Sequence, residues 1–214
     1  MKLYLTIPAL AAAGLLSACD SNSTAAVSQS DGAISFIETV VGGERGNITA
    51  DDLPDDATMN GYIAAATVNS DPEERVAEPA SQTVYLGDAT ADFNFESGEI
   101  SGSATNFNQY EVSSSDDVLS AEQGLALDGS LVIDGNMTTD TTDFYYAAEG
   151  VLSSEVEGQG TVFADVLLFG NGVVDTVDDT LTASGSGGGR VDLFSTENGD
   201  LGRTLLQNQI LLQE

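Results

Sequence analysis

The chain has 214 residues, with 35 Asp and Glu against 5 Lys and Arg, one Cys, and neither His nor Trp, for a formal charge of −30. Without His it can build no Ser-His-Asp triad, Cys-His dyad or histidine-based zinc site, and a single Cys allows no intrachain disulfide or Cys cluster. The charge opposes phosphate backbones and excludes direct nucleic-acid binding, while 41% hydrophobic residues and 23 Gly suffice for a folded core.

Residues 1–18 read as a lipoprotein signal peptide. Lys2 gives a positive start, and Leu3 through Leu16 form an apolar run rich in Ala and Leu. At about 14 residues this run is shorter than the roughly 20 a membrane span needs, and it has the length of a signal-peptide core. It ends in Leu16-Ser17-Ala18-Cys19, which matches the bacterial lipobox, so Cys19 is the expected lipidation site. Two or three acyl chains of the palmitate type, at about 0.8 kcal/mol per buried CH₂, hold such a protein on a membrane. The outer membrane, on its surface or periplasmic face, is the expected location. Asp20 keeps the inner membrane as the alternative, since in enterobacteria an Asp after the lipidated Cys tends to retain a lipoprotein there. Residues 19–32 read as the lipidated Cys and a flexible polar tether; fully extended, Ser21–Asp31 would reach roughly 36–40 Å.

Residues 33–56 form a lead-in. Within it Ala33–Val41 (AISFIETVV) has no clear period and reads equally as a strand or a short helix. Asp51-Asp52-Leu53-Pro54-Asp55-Asp56 carries strong turn chemistry.

From residue 57 to 214 the pattern is β. Gly61–Val68 opens it. Ala91, Phe93 and Phe95 alternate with Asp92 and Asn94, Glu96-Ser97-Gly98-Glu99 supplies a hairpin turn, and Ile100–Phe107 returns. Apolar faces recur in Gly124–Ile133, in Phe144–Leu152 (Phe144, Tyr146, Ala148, Gly150, Leu152) and in Gly160–Leu168 (Val162, Ala164, Val166, Leu168). Thr180–Ser186, Arg190–Phe194 and Leu205–Leu212 read as closing strands, the last also as a short helix. About eight strands without a long amphipathic helix predict an all-β domain, a small eight-stranded antiparallel up-and-down β-barrel. A β-sandwich is the alternative. Closure is favoured because so many short edges would otherwise need protection. A lipid-spanning barrel is not expected: aromatic residues are only 7% of the chain, and one face of every strand is polar.

Specific residues add a resemblance. Leu53-Pro54, Ala57–Tyr62 (ATMNGY), Tyr85–Phe93 (YLGDATADF), Ser97–Gly102 (SGEISG) and Ala104–Phe107 (ATNF) resemble the barrel domain, found in both lobes, of transferrin-binding-protein-B-like bacterial lipoproteins. Leu125–Gly135 and Gly160–Asp165 (GTVFAD) sit where that family places further strands. The resemblance covers roughly residues 53–190 and rests on glycine, turn and alternation positions. It implies a lipid-anchored eight-stranded barrel displayed at the cell surface, binding a protein or solute through its loops; named members bind host iron-carrier or haem proteins. The chain departs from the pattern in having room for one barrel only and in lacking the family's closing motif over Asp192–Glu214.

Carboxylates are the abundant functional groups, and with 35 of them no glycosidase pair stands out. Absence of Trp also removes the usual sugar platform. No catalytic set is identified and the chain is not expected to be an enzyme. No metal set is assigned, and no cofactor beyond the lipid is expected. Calcium is the one cation the composition suits: Asp51, Asp52, Asp55 and Asp56 form one cluster, Asp175, Asp178 and Asp179 another. Asp134-Gly135-Asn136 with Asp140 and Asp143 superficially resembles a calcium loop but fails the EF-hand spacing. Gly185–Gly189 (GSGGG) before Arg190 reads as a flexible turn rather than an anion nest. Tyr62, Tyr85, Tyr110, Tyr145 and Tyr146 could ligate ferric iron but read first as strand packing. The expected partners are a membrane, through the lipid, and a protein or solute ligand of basic character. The alternative function is an acidic structural lipoprotein of the envelope, calcium-stabilised and without a transport role. The ligand-binding residues are not legible.

Overall fold

The structure, a computed structural model, describes residues 24–46, 48–68, 82–115 and 118–214. Helix α1 (Thr24–Gly42) and a short strand β1 (Arg45–Gly46) precede a 3₁₀ turn (Ala50–Asp52). Then come β2 (Asp56–Thr67), β3 (Gln82–Asn94), β4 (Glu99–Ser115), β5 (Val118–Met137), β6 (Asp143–Val156), β7 (Gly160–Val177), β8 (Thr180–Ser195) and β9 (Gly199–Gln213). Each of β2 through β8 pairs antiparallel with its successor, and β9 returns to pair with β2. The eight strands therefore form a closed up-and-down barrel, as the alternation predicts, and the sandwich is set aside. Closure leaves no free edge along the ring.

Local chemistry sets the turns. Gly98, Gly158 and Gly199 take φ of 77°, 77° and 74° in three hairpin bends, a region open to glycine at little cost. Between β7 and β8 only Asp178 and Asp179 connect the paired Val177 and Thr180. Both aspartates have positive φ, 50° and 65°, as a two-residue turn matching the strand twist requires; Asp tolerates this conformation better than most residues.

Inward positions form one buried cluster that includes Met59, Ile63, Phe93, Ile100, Leu131, Ile133, Phe144, Leu152, Leu168, Val191, Ile210 and Leu212. Phe93 and Phe144 meet edge to face with ring centres 5.6 Å apart. Outward positions on the same strands are exposed and mostly polar, for example Thr58, Asn60, Thr90, Asp92, Ser101 and Ser103. This apolar-in, polar-out order is the reverse of a lipid-spanning barrel around an aqueous lumen.

Two sequence expectations change, and one open choice is settled in favour of the strand. Gly185–Gly189 is not a turn: it lies inside β8, so Thr180–Ser186 and Arg190–Phe194 are two halves of one strand. The glycines mark close backbone approach within a strand; a Cβ on Gly187 would sit 2.0 Å from the Phe169 carbonyl oxygen. Leu205–Leu212 belongs to a strand, β9, not a helix. At the N-terminal side, α1 runs from Thr24 through Ala33–Val41, crossing the boundary placed between a flexible tether at 19–32 and the lead-in.

The helix owes its existence to docking. Ser30, Ala33 and Val40 are buried at helical spacing. Ala33 packs with Leu86 and Tyr110, with Tyr62, Ala64 and Val84 alongside, and Phe36 meets Tyr62 edge to face at 5.6 Å. These partners lie on the outer wall of β2–β4. That is why β2 and β3 carry apolar residues on both faces, where a solvent-facing wall would alternate. A polar stretch such as Thr24–Gly32 would not hold a helix alone in water; the barrel wall stabilises it. Ala33→Asp should undock α1, speeding cleavage after Glu38 by a glutamyl endopeptidase at least about tenfold while the barrel stays folded. Unchanged cleavage would mean the docked contact contributes nothing.

Candidate functional site

Several of the carboxylates singled out in the sequence have structural partners in the fold. Asp52 Oδ2 accepts hydrogen bonds from the Thr49 backbone N–H (3.1 Å) and hydroxyl (2.6 Å), and these hold its carboxyl below the ordinary range. Asp175 Oδ2 accepts from Arg45 Nη1 at 2.5 Å, clipping β1 to the end of β7. Burial pushes the Asp175 carboxyl up, and Arg45 opposes that shift. Asp178 Oδ1 accepts the Glu44 N–H at 3.0 Å, a second stitch in the same clip. Gly135 does not open a calcium loop: it lies within β5, where a Cβ would come 2.3 Å from the Tyr145 carbonyl oxygen. Among the described residues no group of three His, Cys, Asp or Glu is placed to hold a metal ion.

The five tyrosines also part company. Tyr62 and Tyr110 lie against α1, Tyr85 and Tyr146 point inward, and Tyr145 is exposed. Burial pushes the Tyr110 hydroxyl up to about 12 and raises Tyr146 still further. Both are neutral hydroxyls at physiological pH.

Among the described residues one buried polar side chain inside the barrel is Asn208, only 2% exposed, which sequence reasoning missed. Its Oδ1 accepts the Tyr146 hydroxyl. Its Nδ2 donates to the Gly188 carbonyl at 2.5 Å and to the Phe169 carbonyl at 3.3 Å. The side chain thus ties β9 to β6, β7 and β8. The available signal was a lone amide at an inward position between Leu206 and Ile210. Its partners are all protein groups, so it reads as an internal tie.

Side chains fill the lumen, and the open polar surface lies on the outside. The outer wall of β2–β4 carries a shallow cleft of about 370 Å³ lined by Asp56, Thr58, Asp92, Asn94, Glu99 and Ser101 above Ala57 and Phe93. The ladder sets this constellation: Asp56, Asn94 and Glu99 fall in one cross-strand row, and Thr58, Asp92 and Ser101 in the next. The Thr58 hydroxyl donates to Asp92 Oδ1 at 2.6 Å. Three carboxylates, an amide and two hydroxyls at an open surface suit positively charged or hydrogen-bond-donating groups of a partner. The wall contains no His or Cys and no built nucleophile–base pair.

Cys19 and residues 1–18, read from the sequence as a signal peptide, lie outside the described residues. No family model, curated protein or solved structure matches this chain.

Proposed function

We propose that this chain is a lipid-anchored bacterial envelope protein of the transferrin-binding-protein-B-like kind. Its barrel binds a basic protein or solute through its outer wall and loops, and it is not an enzyme. The observation that carries the reading is the pairing of a lumen closed by side chains with an acidic, polar outer surface. A barrel of that kind carries nothing through its centre and acts from its exterior. The Leu3–Leu16 run and Leu16-Ser17-Ala18-Cys19 support attachment through Cys19 after removal of residues 1–18. The outer membrane is the proposed site.

Expression with its own leader in a Gram-negative host tests the anchor. The wild-type product should partition into detergent and carry the mass of residues 19–214 plus acyl chains. Cys19→Ser should remain unacylated and leave the detergent phase. Equal processing and partitioning of the two forms would overturn the reading.

A further inference from the structure

We propose that the barrel wall centred on β7 is a two-fold interface with a second copy of this chain. In an eight-stranded ring β7 stands opposite β3, so this wall faces away from the acidic cleft, and β1, just after α1, meets β7 at the Thr176–Val177 end, well along the strand from Leu167. Its outward residues on β6–β8 are unusually apolar: Tyr145 is 63% exposed and Phe169 55%, with Val151, Phe163 and Phe194 also exposed. Two of the chain's five basic residues, Arg190 and Arg203, lie here as well. Arg203 grips Asp192 through two nitrogens, whereas Arg190 reaches the same carboxylate through Nε at 3.4 Å. Aromatic residues and Arg amid reduced net charge are the composition of interface cores.

The ladder names the occupant. One cross-strand row reads Val132, Glu149, Leu167, Arg190, Leu205. Glu149 and Arg190 flank Leu167 at equal distance, about 5 Å to either side. A two-fold axis lying along β7 between two facing walls brings Glu149 of one copy onto Arg190 of the other, twice, with Leu167 meeting its own copy. Val132 and Leu205, on β5 and β9, stand a quarter turn to either side of β7 and lie outside the contact. The adjacent row reads Asp134, Ala147, Phe169, Gly188, Gln207. Under the same axis Phe169 meets its own copy, flanked by the small residues Ala147 and Gly188. A single row that is its own charge complement is what an isologous contact requires.

Two further features set its strength. Both walls are convex, so contact is confined to β6–β8 and the interface falls at the small, weak end of the range. In the row reading Ser130, Val151, Asp165, Asp192, Arg203, Asp165 also faces its own copy, and each copy brings a charge of −30. Association should therefore strengthen with added salt, against the usual trend for ion-paired interfaces.

Sedimentation velocity of the full chain at about 0.5 mM tests this. The wild type should be monomeric in dilute buffer and shift toward dimer in about 1 M NaCl. Glu149→Arg and Arg190→Glu should each lose dimer at least about tenfold when alone, because like charges then face each other. Mixing the two variants should restore dimer, since every cross-axis pair is then opposite in charge. Both sites are exposed, and unchanged melting confirms folding. A monomeric wild type at high salt, a mixture that stays monomeric, or association indifferent to both swaps would each overturn the proposal. The indifferent outcome is what an apolar leader or a different occupant of the wall would give.

Discussion

Gly187→Ala lowers the unfolding free energy by about 3 kcal/mol, at the upper end of overpacking costs, and the melting temperature by about 6–12 °C. Thermal or urea unfolding of the variant measures it. The reason is the path of β8 past β7. Gly187 lies directly opposite Gly170, and a Cβ there would sit 2.0 Å from the Phe169 oxygen and 2.5 Å from the Gly170 Cα. Both obstacles are main chain, so no rotamer change relieves them. One strand must move away and the ladder between them must stretch. The neighbouring residue is the control. A Cβ on Gly188 has its nearest neighbours at 3.7 Å, the Leu206 oxygen and the Phe169 ring. Gly188→Ala should stay within about 1 kcal/mol of wild type, with a gain if it restricts the unfolded chain. Equal losses at 187 and 188 would mean that glycine content, rather than this close approach, governs β8.

Asn208→Ala should cost about 3 kcal/mol. It strips the partner from the Tyr146 hydroxyl and removes a donor from two strand carbonyls, all inside the core. It also leaves a small void where the amide packed. Tyr146→Phe should cost less, about 1 kcal/mol, because Asn208 keeps both carbonyl bonds and loses one donor to Oδ1. The double variant should fall short of the summed single losses, since each single change already breaks the Tyr146–Asn208 bond. A loss under about 1 kcal/mol for Asn208→Ala would mean that water replaces the amide and the interior is wetter than the packing implies.

The barrel was legible because its strands alternate. Phe144, Tyr146, Ala148 and Leu152 in β6 are read straight from a period of two, and Glu96–Glu99 announces its turn through Gly98. Where the reading failed, the cause lay beyond the local window. Gly185–Gly189 looks like a loop because glycine serves two ends, turns and close strand contact, and only the neighbouring strand tells them apart. Ala33–Val41 reads equally as strand or helix, and the helix's start at Thr24 is not legible, because its stripe of Ser30, Ala33 and Val40 is short and mixed with Gly32 and polar residues. What stabilises it is a wall more than 20 residues further along the chain. The acidic cleft is half visible: Asp56 belongs to a carboxylate cluster and Asp92 to an alternating strand, but their convergence with Glu99 depends on the register of three strands. In the sequence Arg190 reads as the residue after a glycine run and the start of a closing strand. Its symmetry with Glu149 about Leu167 exists only once β6, β7 and β8 are side by side.

Pairing β2 with β9 has a consequence for how the chain reaches its folded state. Ring closure joins the first barrel strand to the last, so Asn60 finds Gln213 only after every intervening hairpin is in place. Non-local pairing of this kind slows folding. Until it happens, β2 and β9 present open ladders that another chain could capture. A charge of −30 acts in that interval. Mutual repulsion keeps half-built copies apart, so the acidity that shapes the mature surface also guards the slowest step in making it.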